Sequence, residues 1–86
     1  MKTVDDVINR MYNWKMESAY NYATEVPNFP AQALVKLKKM ASQFGNCGYQ
    51  DGKAFDVLRK TNDQVAEILG YEWDDDNDKW IKREEN

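Results

Sequence analysis

The sequence predicts a mainly α-helical domain, with three to four helices in a small orthogonal bundle and a C-terminal β-hairpin (an α+β arrangement). Three observations carry this. Apolar residues recur at helical spacing from Val4 to Phe44, Pro27, Pro30 and Gly45 punctuate that pattern, and the period changes after Gly70 into an aromatic, β-branched stretch, YEWDDDNDKWIKR. With 86 residues, 42% of them hydrophobic and 13% aromatic, the chain has enough apolar matter for one core and too little length for a second domain.

Thr3 and Asp6 have the spacing of a capping box and open a first helix expected over residues 4–25. Val4, Val7, Ile8, Met11, Ala19 and Tyr22 fall on one face, with Trp14 at its margin. A second stripe, Tyr12, Met16, Tyr20 and Ala23, lies beside it, so the apolar arc spans roughly 240°, well beyond the ~100° of a one-sided surface helix. Either this helix is central and covered on two sides, or Tyr12, Met16 and Tyr20 form a partner surface or a homodimer contact, because tyrosine and methionine are enriched in interface cores.

Pro30 suits the first position of a second helix, 30–44, whose face is Ala33, Leu34, Leu37, Met40, Ala41 and Phe44 and whose stop is Gly45. Residues 45–52, GNCGYQDG, read as a loop. Two short helices follow, 53–60 and 62–69, the latter opened by a Thr61–Gln64 capping box and closed by Gly70. A hairpin over 71–83 fits one register: Trp73 opposite Trp80, Asp74 opposite Lys79, Tyr71 opposite Lys82 and Glu72 opposite Ile81. This leaves Asp75, Asp76, Asn77 and Asp78 at the tip.

Composition removes most chemistries. There is no histidine, so Ser-His and Cys-His pairs are impossible, and with a single cysteine, Cys47, neither an ordinary zinc site nor an internal disulfide can form. Such cysteine usage suits a reducing, cytoplasmic setting. No apolar run approaches a membrane span, so no membrane association is expected. Gly52-Lys53-Ala54 lacks the hydroxyl and preceding strand of a phosphate-binding loop. Asp74, Asp76 and Asp78 have the alternate spacing of a calcium loop, but Lys79 stands where that loop needs glycine, so neither metal nor cofactor is expected. A carboxylate pair on a hydrated hairpin tip lacks the apolar cleft that would separate two pKa values, so no enzyme activity is expected.

Charge is segregated: residues 32–60 carry six basic and two acidic side chains, and 61–78 carry seven acidic and no basic ones. Residues 62–71 resemble the first helix and turn of a helix-turn-helix, with Val65 and Leu69 apolar, Ala66 small and Gly70 at the turn. The resemblance covers ten residues and implies a recognition helix next. The residues that follow are Asp74 to Asp78, which would repel phosphates. Nucleic-acid binding, as in a winged helix, would therefore have to use Lys36, Lys38, Lys39, Lys53, Arg59 and Lys60. The favoured expectation is a small non-enzymatic protein that binds a larger protein through Tyr71, Trp73, Asp74, Asp75, Asp76, Asp78 and Trp80. Carboxylates on a rigid hairpin can stand in for phosphates against a basic, nucleic-acid-binding surface. An inhibitor or modulator of the kind carried by phages and mobile elements would act in this way.

Overall fold

A computed structural model describes residues 2–46 and 52–83; residues 47–51 of the expected loop, including Cys47, lie outside them. The elements are α1 (Val4–Tyr12), α2 (Met16–Ala23), α3 (Ala31–Phe44), α4 (Gly52–Ile68), β1 (Tyr71–Asp74) and β2 (Lys79–Lys82). The molecule is thus mainly α with one antiparallel hairpin.

The capping box at the start of α1 is formed. Asp6 N–H donates to the Thr3 hydroxyl at 3.3 Å, and Thr3 N–H donates to the Asp6 carboxylate at 2.9 Å. Chiefly through that backbone hydrogen bond, the Asp6 carboxyl is held below its ordinary value of 3.8. The folded state therefore favours the ionised form. Its contribution is complete above the ordinary carboxylate pKa and is lost as pH falls through the lowered folded value. Urea unfolding of Asp6→Asn should accordingly show a shallower loss of stability below about pH 4 than the parent chain.

The single helix expected over 4–25 is two helices. Asn13 caps α1, and Trp14 takes a left-handed conformation at φ +60°. Trp14 N–H donates to Met11 O at 3.0 Å and Lys15 N–H to Arg10 O at 2.9 Å, the paired bonds of a Schellman stop. That stop normally takes glycine at the position Trp14 occupies, and a bulky residue there is strained. The indole is repaid by tertiary contact: it packs against the core and meets the Phe55 ring at 5.3 Å between centroids. Arg10 then holds the two helices together, donating to Ser18 Oγ and Asp6 O and stacking 3.4 Å over the Tyr22 ring.

The break explains the wide apolar arc. Val7, Ile8 and Met11 form the buried face of α1, and Met16, Ala19 and Ala23 form that of α2, so two one-sided helices turn their stripes into one core. Met16 has no solvent exposure. Tyr20 is half-buried against the core, and of the three residues expected to form a partner surface or dimer contact only Tyr12 is exposed. The expected stripe is not a surface.

Lys15, which precedes α2, provides no side-chain cap, so a neighbouring segment does. Glu17 N–H donates to Gly45 O at 3.2 Å and Ser18 N–H to Asn46 Oδ1 at 3.0 Å, joining the end of α3 to the start of α2. Pro30 sits one position before α3 rather than at its first residue. Ala33, Leu37 and Met40 are the buried face of α3.

The two short helices expected over 53–69 are one. α4 runs unbroken through Thr61, and no capping box forms there. Leu58, Asn62, Val65 and Ala66 make its buried stripe. Asn62 is fully buried; its Nδ2 donates to Met11 O at 3.4 Å, while its Oδ1 has no partner. Gly70, at φ +83°, turns the chain out of α4 into β1. α2 packs on α1 and α3, α3 on α4, and the hairpin rests on α4 and α1.

Candidate functional site

The hairpin forms in the expected register, Tyr71↔Lys82, Glu72↔Ile81, Trp73↔Trp80 and Asp74↔Lys79. Alternation along β1 sends Tyr71 and Trp73 to one face. Tyr71 is buried in the core, and its hydroxyl donates to the Asp5 carboxylate of α1, pinning the hairpin to the bundle. Trp73 remains 41% exposed; its ring stacks on Tyr12 at 6.2 Å and meets Trp80 edge-on at 5.4 Å. Trp80 is half-buried against the core.

The tip is a turn organised by Asp74. Its Oδ1 accepts from Asp76 N–H at 3.1 Å and its Oδ2 from Asn77 Nδ2 at 2.7 Å. The Asn77 hydrogen bond is the main cause holding the Asp74 carboxyl below its ordinary value, with the turn amides and Lys79 adding to it. Asp74 thus serves the turn. Asp78 adopts φ +52°, a left-handed conformation that aspartate tolerates. Asp75, Asp76 and Asp78 are exposed, and they are the carboxylates the tip offers outward. Because β1 and β2 occupy the place where a recognition helix would stand, the helix-turn-helix continuation is absent from the fold.

Beneath the tip lies a cleft of about 700 Å³ between the α1–α2 turn, α4 and the hairpin, within the range typical of ligand sites. Six aromatic side chains line it: Tyr12, Trp14, Phe55, Tyr71, Trp73 and Trp80. All three tryptophans of the chain are among them. Four carboxylates, Asp63, Glu67, Glu72 and Asp78, share the lining with two guanidinium groups, Arg59 and Arg83. Partial burial pushes the Asp63 carboxyl above its ordinary value, and the nearby Arg59 opposes that shift without cancelling it.

Of the six basic residues considered for nucleic acid, Lys36 is tied to Gln64 of α4 through Nζ–Oε1 at 3.2 Å, and Arg59 lines the acidic cleft. Lys38, Lys39, Lys53 and Lys60 are exposed. The sequence pointed to the hairpin residues and missed Trp14, Phe55, Asp63, Glu67 and Glu72 as cleft walls. The available signal was the presence of three tryptophans in so short a chain.

Among the described residues, no group of three or more carboxylates or thiols is placed to hold a metal ion, and no helix is long and apolar enough to cross a membrane. No protein-family model, curated protein or solved structure matches the chain.

Proposed function

We propose that this chain is a small non-enzymatic protein that binds a larger protein, as an inhibitor or modulator, by presenting its acidic aromatic hairpin to a basic, nucleic-acid-binding surface. One observation carries the reading. Asp75, Asp76 and Asp78 stand exposed in a turn that Asp74 hydrogen-bonds, and Trp73, which precedes Asp74 on β1, is exposed as well. Fixed carboxylates steer a cationic partner, and an exposed tryptophan is the side chain most suited to anchor it. The non-enzymatic part rests on composition, since the chain has no histidine to serve as a general base. The lone cysteine supports a cytoplasmic setting in this reading, and a phage or mobile element acting on host nucleic-acid machinery would have use for such a mimic.

Affinity capture from lysate tests this with two variants beside the parent chain, Asp75→Asn/Asp76→Asn and Trp73→Ala, each checked for retained helicity. The tip variant should slow association and reduce its salt dependence. Trp73→Ala should weaken binding by roughly 30-fold, as expected for an interface anchor. A partner held equally by all three chains would overturn the hairpin as the contact.

A further inference from the structure

The cleft under the hairpin combines two properties that bear on its ligand. Its walls are aromatic, and its lining carboxylates outnumber its cations by four to two. Among the described residues none of those four carboxylates is in an ion pair, although Arg59 lies near enough to Asp63 to favour its charged form; the one ion pair, Lys2–Glu25 at 3.8 Å, lies elsewhere. Two cation–ring contacts among the described residues fall on one ring outside the cleft. Lys2 and Arg10 both lie over Tyr22, at 4.8 and 3.4 Å from its centroid, and Tyr22 does not line the cleft.

We propose that this cleft seats an arginine side chain from a basic peptide segment of the partner, with the tryptophan and tyrosine rings taking the planar guanidinium and Glu67, Glu72 and Asp63 taking its N–H groups. The proposal rests on the protein-binding reading above and names the chemistry of that contact. Charge complementarity selects a cation, and the ring walls favour one with a flat, weakly hydrated face. A guanidinium also offers a fork of donors that fits a carboxylate, which an ammonium does not. The chain itself shows the geometry at Tyr22, where Arg10 stacks on the ring while its N–H groups go to Ser18 and Asp6 O. The upward shift of the Asp63 carboxyl points the same way, since a cation placed beside a carboxylate that burial disfavours stabilises its charged form.

Because all three indoles line the cleft, their Nε1–H resonances report on it directly. The test titrates the ¹⁵N-labelled full chain with a capped Gly-Gly-Arg-Gly-Gly peptide and with the same peptide carrying citrulline or lysine. The expected result is saturable movement of the indole signals with the arginine peptide at about millimolar concentration, a several-fold weaker effect with lysine and none with citrulline. Glu67→Gln/Glu72→Gln, whose sites are exposed and whose fold is checked by circular dichroism, should weaken the arginine titration several-fold.

Equal shifts with citrulline would overturn the proposal. So would agmatine binding as tightly as the peptide, which would assign the cleft to a free small cation. Movement confined to the amides of residues 75–78, with the indoles still, would overturn the seat while leaving the hairpin contact standing. No movement anywhere would overturn the seat, and the hairpin contact would then be judged by the capture experiment above.

Discussion

Met16→Lys is expected to unfold the chain at 25 °C, whereas Tyr12→Lys leaves it folded. Met16 is the first residue of α2 and has no solvent exposure, packed in one cluster with Met11, Leu37, Met40 and Leu58. An ammonium placed there would have no acceptor, and burying an unpaired charge costs several kcal/mol even after relaxation. A domain of this length has about 4–13 kcal/mol of stability in total, so the loss is decisive. Tyr12 is 41% exposed, and its replacement forfeits little more than the stack on Trp73, about 0.5–1.5 kcal/mol. Far-ultraviolet circular dichroism with urea titration separates the two outcomes. A folded Met16→Lys protein would return Met16 to a surface and revive a dimer contact through Tyr12, Met16 and Tyr20.

Tyr71→Ala carries the next largest effect, a loss of about 3–5 kcal/mol for truncating a buried aromatic residue. Tyr71→Phe isolates the hydroxyl, whose bond to the Asp5 carboxylate joins residues 66 positions apart, and should cost about 1.5–3 kcal/mol. In a double-mutant cycle with Asp5→Ala, the two losses should be strongly non-additive. A two-stranded hairpin is not stable alone in water, so undocking from α1 and α4 melts it. The cleft then disappears with it. The expected signature for Tyr71→Ala is red-shifted tryptophan emission, as Trp73 and Trp80 become hydrated, with much of the helical dichroism kept.

The hairpin was the most legible part of the sequence because two neighbouring cross-strand pairs favour the same register: an aromatic pair at Trp73 and Trp80 and an opposite-charge pair at Asp74 and Lys79. The Thr3–Asp6 cap was equally plain, being local in sequence. The break after Tyr12 was hidden. It uses a Schellman stop with tryptophan in the glycine position, and that strain is sustained by tertiary packing against the core and against Phe55, 41 residues away. A trace of it was present all the same. An apolar arc of roughly 240° is too wide for one helix and is the natural sum of two.

The expected division of residues 53–69 erred in the opposite direction. Thr61 and Gln64 have the spacing of a start signal, but they lie inside the continuous α4, whose buried stripe runs through Asn62. The cleft was out of reach for a different reason. Its walls come from the α1–α2 turn, α4 and the hairpin, and no periodicity relates Trp14 to Glu67 or Trp73. Asp74 shows the limit of counting charge: within a tip rich in aspartate, it is the carboxylate committed to the turn's own hydrogen bonds.

The functional proposals stand on the hairpin being docked so that Trp14, Trp73 and Trp80 wall a single cleft. A nuclear Overhauser spectrum of the aromatic side chains tests that docking most directly. Cross-peaks between the Trp73 and Tyr12 rings and between the Trp14 and Phe55 rings are predicted together in one folded population. Cross-peaks between Trp73 and Trp80 alone, with none from either indole to α1, would show a free hairpin and contradict the cleft and everything assigned to it.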